Sequence, residues 1–194
     1  KASEAIGVDV SEHGLNYANS HHKKSNNRFL LADLQKSLPF DGGYFDALVS
    51  FETLEHVSNQ ENMIKEFHRI IKPDGLLIIS TPDKDAFVGK NIPENVFHVR
   101  ELNKKEFLGL LGKYFKVLEI YGQGKLVAMP LWKRVARAFV KILPRKFILG
   151  MANIIFPANV YNSLKRSTFT PITKIDIYKP NIDYTVLLAI CQKQ

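Results

Sequence analysis

A short acidic segment with one imidazole could carry out acid–base chemistry or bind a cation. On a helical turn Glu52, Glu55 and His56 fall at positions i, i+3 and i+4 and share one face. His98, from a distant part of the chain, could join them. A neutral imidazole can take a proton from a nucleophile, and two carboxylates with two imidazoles can bind a divalent cation. Three interpretations stay open here: a metal site, a general base at His56 or His98, and a structural role.

Two further carboxylates follow apolar runs. Asp9 closes the run AIGV, and Asp33 follows RFLLA. Open α/β sheets bind ligands at the carboxyl ends of their parallel strands, where both residues are expected to lie. An aspartate at the end of a strand is also a common helix cap or turn residue. The spacing alone therefore leaves a ligand site and a local structural role open for both.

The elements that must position these residues alternate between strand and helix. Apolar runs predict strands, and helical periodicity or a capping residue predicts helices. The strands are predicted at Ala5–Val10, Arg28–Ala32, Asp46–Phe51, Leu76–Ser80, Phe115–Tyr121 and Tyr184–Cys191. The helices are predicted for about ten residues after Ser11, over Asn59–Ile71, and over Lys104–Leu111. A turn is predicted at Pro73–Gly75. This alternation indicates an α/β domain whose sheet is covered by helices on both faces.

Four fragments occur in a recognisable order: GVDVS, LLADLQKSLPF, FDALVSFETLEHV and IIKPDGLLIISTP. Together they resemble the class I S-adenosylmethionine-dependent methyltransferases, with a domain of the type 11/23 kind. The resemblance covers roughly residues 5 to 122 and the terminal strand. It implies a Rossmann-like sandwich with a mostly parallel sheet, an antiparallel last strand, and a helical insertion before that strand. We expect one domain over residues 1–194, with S-adenosylmethionine as cofactor and S-adenosylhomocysteine as product.

The resemblance also implies which residues contact the cofactor. It gives Asp9, with Val10 beside it, the role of accepting hydrogen bonds from the ribose hydroxyls. A carboxylate suits this role because it offers two acceptors to a vicinal diol. Asp33 takes the role of accepting from the adenine amino group, and the backbone N–H of Leu34 faces the ring. Phe51 lies where the family lines the methionine end of the cofactor.

On the acceptor side the resemblance implies catalytic roles for Glu52, His56 and His98. With Glu55 these residues resemble the metal site of small-RNA 3′-end methyltransferases and a similar pattern in ubiquinone-pathway O-methyltransferases. A Glu-His pair at this place is nevertheless widespread in family members with no known metal. We therefore expect no metal here, although the four residues could hold a divalent ion.

The glycine-rich first motif of the family has no counterpart in this sequence. It normally precedes GVDVS by about twenty residues, and only six residues stand there. We therefore expect a domain truncated at its N-terminus that binds the cofactor poorly. The family's first strand would lie between the strands that begin at Ala5 and Asp46. A sheet without it leaves buried backbone groups unpaired, at a cost of roughly 1–3 kcal/mol each.

The net charge of +8 is concentrated in one segment. Residues 125–179 hold 11 Lys or Arg against one acid, whereas the rest of the chain is nearly neutral. We predict a basic amphipathic helical insertion or lid over residues 125–180. Within it, Leu131–Leu143 places apolar residues on one half of a helical wheel and basic residues opposite. The basic residues of that helix are Lys133, Arg134, Arg137 and Lys141.

Three interpretations could account for this basic segment. The first interpretation is a lid packed on the core, with its basic face in solvent. The second is an interfacial helix over residues 131–146 that contacts an anionic membrane or grips a lipid-like or phosphorylated substrate. Nucleic-acid binding is the least favoured, because the aromatic side chains fall on the face opposite the basic ones.

The leading functional hypothesis is an enzyme that methylates an oxygen, nitrogen or carbon of a small-molecule or lipid-linked acceptor. A nicotinamide-dependent oxidoreductase would also place an acid after the strand at Ala5, but the FETLEH segment favours methyl transfer. A non-catalytic Rossmann-like binding or scaffold domain is the alternative from another class. The single cysteine, Cys191, excludes an intrachain disulfide, and no apolar run approaches the roughly 20 residues of a membrane span. We expect a cytoplasmic protein, peripheral to the membrane if the basic helix binds lipid.

Overall fold

A computed structural model describes residues 2–87, 95–125, 173–174 and 184–194. Strands and helices alternate over the first part of the described chain, as predicted. The strands are β1 (Ala5–Asp9), β2 (Asn27–Leu31), β3 (Phe45–Ser50), β4 (Ile71–Pro82), β5 (Phe115–Lys125), β6 (Thr173–Lys174) and β7 (Tyr184–Lys193). The helices are α1 (Glu12–His21), α2 (Gln60–Ile70), α3 (Lys84–Phe87) and α4 (Lys104–Leu111), with a 3-10 helix at Leu54–His56.

The described strands form two sheets. In the first, β1 pairs with β2 in parallel, with Asp9 opposite Leu31. The second has the order β3-β4-β7-β5-β6, with β3 parallel to β4 and β7 antiparallel to both β4 and β5. The antiparallel last strand is confirmed. The break between the sheets falls between β1 and β3, where the resemblance places the family's first strand.

One hydrophobic core lies beneath both sheets. α2 contributes Met63, Ile64 and Phe67, each at most 2% exposed, as its helical periodicity predicts. Burial of each such side chain contributes about 1.5–3 kcal/mol. Val8 of β1 and Leu34 after β2 pack against the same cluster. The two sheets are therefore joined by side-chain packing, although no backbone ladder links them among the described residues.

Polar caps fix where the helices begin. The Ser11 hydroxyl accepts from the backbone N–H of Gly14 at 3.1 Å, at the start of α1. Asn59 caps α2 in the same way. Asn103 caps α4 through a capping box in which Glu106 reciprocates. Each cap contributes about 1 kcal/mol. The helix boundaries predicted from the sequence are confirmed to within a residue or two.

The C-terminal strand also anchors α2. The Lys193 ammonium donates to the carbonyl oxygens of His68 and Ile71, at 2.7 and 2.8 Å. The last carbonyls of a helix have no partner within the helix, and a cation there is favourable. β7 therefore holds the second sheet together and also closes the end of α2.

The predicted turn at Pro73–Gly75 is wrong in one respect, because the chain makes a bulge within β4 instead. The β3–β4 register jumps between Phe45, opposite Ile71, and Ala47, opposite Leu76. Asp74 has a left-handed φ of 62° in this bulge. The strand continues because pairing with β3 resumes on the far side of the bulge.

Some predictions fall outside the described residues. The predicted basic helix over Leu131–Leu143 and most of the 125–180 insertion belong to this part of the chain. Two short elements, α3 and β6, were not expected from the sequence. Among the described residues, no helix is long and apolar enough to cross a lipid bilayer.

Candidate active site

Asp9 lies at the carboxyl end of β1, at the entry to α1. Its Oδ1 accepts from the backbone N–H of Ser11 at 2.8 Å. A β-carbon at Gly14 would lie 3.0 Å from Asp9 Oδ2, so the glycine gives this carboxylate its place against the first turn of the helix. The local bonds satisfy one carboxylate oxygen and orient the group at the strand end. They fit both the ribose role and the local structural role that the sequence left open.

Asp33 lies at the same edge, two residues after Leu31, which is paired with Asp9. Its Oδ1 accepts from the backbone N–H of Gln35 at 2.9 Å, and Lys36 Nζ is 3.6 Å from Oδ2. Leu34 packs against the core. Both acids predicted to contact the cofactor therefore sit at adjacent strand ends in short turns made by their own neighbours.

The loop after Asp33 is tied to α2 by one carboxylate. Glu66 accepts from the backbone N–H of Leu38 at 2.7 Å and from the Ser37 hydroxyl at 3.2 Å. Arg69 donates to both oxygens of Glu66 and also to the carbonyl oxygens of Leu38 and Phe40. The hydrogen bond from Arg69 holds the pKa of Glu66 below its ordinary value. This network fixes the loop that leads away from Asp33.

Apolar side chains face solvent at these strand ends. Val10 is 71% exposed after β1, and Phe51 is 54% exposed after β3. Exposed apolar surface beside fixed carboxylates suits a nucleoside, which has a flat apolar base and a polar sugar. The hydrogen-bond acceptors and apolar surfaces present therefore fit the cofactor that the resemblance implies.

Glu52 does not lie on a helical turn, so the prediction that its backbone continues the turn of Glu55 and His56 is wrong. It has a left-handed φ of 49° at the end of β3, an unfavourable conformation for a residue with a side chain. Ser80 of β4 binds it twice, accepting from its backbone N–H at 3.2 Å and donating to its carboxylate at 2.6 Å. Loss of hydration raises the pKa of Glu52, and the Ser80 hydroxyl partly opposes that rise.

Glu55 lies in the 3-10 helix and is 1% exposed. Its Oε2 accepts from the Thr81 hydroxyl at 3.1 Å, and its Oε1 is 3.8 Å from His56 Nε2. Its backbone carbonyl accepts from the N–H groups of Val99 and Arg100. Glu55 thus places a buried carboxylate beneath the imidazole of His56 and anchors the segment that carries His98.

His56 is fixed by its other ring nitrogen. Nδ1 is 2.9 Å from the carbonyl oxygen of Phe97, which can only accept, so Nδ1 carries the proton. In the neutral ring the lone pair is therefore on Nε2, which faces Glu55. A proton taken up at Nε2 would lie close to the buried Glu55 carboxylate, whose Oε1 is 3.8 Å from Nε2. This is the geometry of a general base.

His98 lies next to His56, with the ring centroids 5.0 Å apart and nearly perpendicular. Its Nε2 accepts from the Asn95 amide at 2.8 Å, so its Nδ1–H donates to Glu101 at 2.5 Å. Both ring nitrogens thus already have partners. The sequence expectation that these two histidines meet is matched by their placement, whereas the catalytic assignment of Glu52, His56 and His98 stays a prediction.

Three of the four residues considered for a metal come together. Within the described ranges, Glu55, His56 and His98 have ligand atoms that lie within 4.8 Å of one another. One carboxylate and two imidazoles suit a first-row transition metal. Against this, His98 Nε2 is already bonded to Asn95, and Glu52 is bonded to Ser80. The expectation that no metal is held stays a prediction.

Comparison with known proteins finds a methyltransferase domain match in the N-terminal part of the chain. Residues 1–79 match the family model described as "Methyltransferase domain". A protein of Mycobacterium tuberculosis named as a probable S-adenosylmethionine-dependent methyltransferase is 33% identical over 111 residues, which are 57% of this chain and 39% of that protein. The chain therefore resembles the class I methyltransferases, and the match to the family model lies within residues 1–79. It spans about two fifths of the length of that relative.

Two other relatives carry more specific names. The malonyl-[acyl-carrier protein] O-methyltransferase of Calditerrivibrio nitroreducens is 30% identical over 115 residues, covering 51% of this chain and 46% of that protein. The ubiquinone biosynthesis O-methyltransferase of Dechloromonas aromatica is 30% identical over 90 residues, covering 44% and 38%. The solved structure of a methyltransferase from Thermotoga maritima matches with a TM-score of 0.65 at 18% identity, over 97% of this chain and 72% of that one. This last match confirms the Rossmann-like fold.

The candidate site includes residues that the sequence did not single out. Ser80 and Thr81 precede Pro82 at the end of the fragment IIKPDGLLIISTP, which carries part of the resemblance. Asn95 and Glu101 flank His98. Two hydroxyls in succession at the end of an otherwise apolar strand were the available signal. Their partners, Glu52 and Glu55, come from another element and could not be assigned from the sequence.

Proposed function

We propose that this chain transfers a methyl group from S-adenosylmethionine to an oxygen of a small acceptor that has an apolar portion. One observation carries the proposal: His56 has its Nδ1–H bonded to a backbone carbonyl and its basic Nε2 above the buried carboxylate of Glu55. Oxygen nucleophiles such as phenols become reactive on losing a proton, whereas a carboxylic acid is already ionised near neutral pH and needs no base. A fixed imidazole can take that proton near neutral pH.

Each residue has a part in the proposed reaction. The cofactor supplies an electrophilic methyl group on a sulfonium. Asp9 and Asp33 accept hydrogen bonds from its ribose and adenine, and Val10, Leu34 and Phe51 line it. The geometry of the bound pair matters most, because alignment of a nucleophile with a reactive carbon provides much of the rate acceleration.

On the acceptor side, His56 takes the proton of the attacking hydroxyl at Nε2. Glu55 stabilises the resulting imidazolium, and Glu52 orients the acceptor. His98 restricts the His56 ring by packing against it. Two relatives named as O-methyltransferases support oxygen as the methylated atom.

An apolar surface beside His56 supports the proposed acceptor class. Val96, Phe97 and Val99 are 88%, 75% and 61% exposed. They belong to the segment whose backbone binds both His56 and Glu55. A lipid-like or acyl-linked acceptor would cover these side chains, and each one buried would contribute about 1.5–3 kcal/mol.

The proposal is tested by binding and transfer in one preparation, a protein extended upstream to supply the glycine-rich first motif, because this chain without it is expected to bind the cofactor poorly. Calorimetric titration of S-adenosylmethionine and S-adenosylhomocysteine measures the cofactor affinity. Transfer from methyl-¹⁴C-labelled cofactor is then measured with two probes, malonyl pantetheine and 4-hexylcatechol, each compared with its version lacking the apolar portion. Binding with transfer to the apolar probes is the expected result. Binding without transfer to any probe would favour the scaffold alternative, and no binding at all would overturn the cofactor assignment.

We also propose that the protein works in the cytoplasm and that residues 131–146 contact an anionic membrane. The support is compositional, since residues 125–179 hold 11 Lys or Arg against one acid and the rest of the chain has a small net negative charge. Sedimentation with phosphatidylglycerol vesicles at low salt should deplete the protein from solution, and phosphatidylcholine vesicles should not. Replacement of Lys133, Arg134, Arg137 and Lys141 by Gln should abolish the difference. If that variant sediments with phosphatidylglycerol vesicles as strongly as the unaltered protein does, the contact is refuted.

A further inference from the structure

Two consecutive hydroxyls at the end of β4 reach two different glutamates of the candidate site. Ser80 is bonded to Glu52, and Thr81 is bonded to Glu55. Successive side chains of a strand point to opposite faces of the sheet. The end of β4 therefore contacts the segment after β3 with side chains from both faces of β4. Ser80 is 4% exposed and Thr81 is fully buried. Both residues are therefore part of the interior and reach the site only through their partners.

The Ser80 contact restrains the backbone as well as the side chain of Glu52. The Ser80 hydroxyl accepts a hydrogen bond from the Glu52 backbone N–H and donates one to the Glu52 carboxylate. Glu52 has a left-handed φ of 49°, an unfavourable conformation for a residue with a side chain. A two-way bond to a rigid strand holds Glu52 in this conformation and points its carboxylate at a fixed place.

The Thr81 contact secures the carboxylate beneath His56. Glu55 is 1% exposed, and the Thr81 hydroxyl is its side-chain hydrogen-bond donor in the described structure. The remaining Glu55 oxygen lies 3.8 Å from His56 Nε2. Rotation of Glu55 away from Thr81 would move that oxygen relative to the imidazole. Thr81 therefore sets the distance between the buried charge and the ring.

We propose that Ser80 and Thr81 are the positioning residues of the acceptor side, with Ser80 fixing Glu52 and Thr81 fixing Glu55 beneath His56. This inference rests on the proposed function, because the two glutamates have catalytic roles only if the site transfers methyl groups. Neither hydroxyl contacts cofactor or acceptor in this scheme. Both act through the carboxylates that they hold.

The test uses two matched pairs of variants. Ser80→Ala removes one hydroxyl, and Ser80→Thr keeps it. Thr81→Val removes the other with little change of shape, and Thr81→Ser keeps it. We expect Ser80→Ala and Thr81→Val to lower kcat with the acceptor probes by about tenfold to a hundredfold, since small misplacements of reacting groups have effects of this size. The affinity for S-adenosylmethionine should not change, and the hydroxyl-retaining partners should recover most of the turnover.

A second measurement tests, without any methyl acceptor, whether Ser80 restrains the backbone of Glu52. Hydrogen exchange of the Glu52 backbone amide, followed by NMR, should be slow in the protein and in Ser80→Thr, and fast in Ser80→Ala. Equal turnover in both members of each pair, or unchanged exchange in Ser80→Ala, would overturn the positioning role. If Ser80→Ala does not fold, the Thr81 pair decides by the same turnover criterion. Absence of transfer by the unaltered protein, with cofactor bound, would instead overturn the proposed function.

Discussion

The edge formed by β1 and β2 and the cluster around His56 hold their functional side chains in different ways. Asp9 and Asp33 are each bonded to a backbone N–H two residues further along the chain. Glu52 and His56 are instead bonded to residues 28 and 41 positions away. The first region is built from local turns, and the second is assembled by tertiary contacts.

This difference separates two kinds of chemistry. Cofactor contacts at a strand end need acceptors at fixed places, and a short turn supplies them. Proton transfer needs the relative placement of several groups, here the Glu55 carboxylate with the adjacent His56 imidazole, the Thr81 hydroxyl and the Phe97 carbonyl, which come from three parts of the chain. Variants in the first region should therefore affect binding, whereas variants in the second should affect turnover.

The largest effect is expected at His56. His56→Gln should lower kcat for methyl transfer by about 10²–10⁴-fold, because the proposed general base is lost. The cofactor affinity measured by calorimetry should stay the same. His21→Gln is the matched control, since the His21 Nδ1 also lies by a backbone carbonyl, that of Tyr17, at 3.0 Å. Equal activity of the two variants would remove His56 from the mechanism.

Asp9→Ala should show the opposite pattern. Cofactor binding should weaken by about 1–3 kcal/mol, the range for a lost hydrogen bond to a charged group, while kcat at saturating cofactor changes little. The control is Asp46→Ala, which removes an exposed carboxylate from the beginning of β3. Unchanged affinity in Asp9→Ala would show that its carboxylate only caps the turn into α1.

Glu66→Gln tests whether the loop after Asp33 depends on its anchor. The free energy of unfolding should fall by about 1–3 kcal/mol at neutral pH, as expected for a partly buried charged network. The pKa of Glu66 is lowered in the folded protein, mainly by Arg69, so its ionisation stabilises the fold above its unfolded value of about 4.5. The difference between the two proteins should disappear as pH falls through the lowered folded pKa. A difference independent of pH would contradict the network.

Cys191 should give the smallest effect, because it belongs to neither region. Burial raises the pKa of its thiol to about 12, so almost no thiolate exists near neutral pH. Iodoacetamide should leave the native protein unlabelled and label it fully in denaturant, as read by mass spectrometry. Rapid labelling of the native form would mean that β7 opens readily.

The sequence predicted the local parts of this architecture well. Ser11 and Asn59 indicated where α1 and α2 begin, and the apolar runs indicated most strands to within a residue or two. The bond from Ser80 to Glu52 could not be predicted, since it depends on β3 and β4 lying side by side with a bulge in their register. The left-handed backbone of Glu52 was missed for the same reason, because local propensity favours a helical turn there.

The position of β7 has a consequence for how the protein is made. This strand lies between β4 and β5, and Lys193 binds a carbonyl 122 residues earlier in the chain. On the ribosome, β4 and α2 emerge long before the strand that completes their sheet. The edge of β4 that pairs with β7 has no partner while the basic segment is being synthesised. The nascent chain therefore exposes an unpaired apolar strand for a time on the order of several seconds. Chaperone binding during translation would protect that flank until residue 193 arrives.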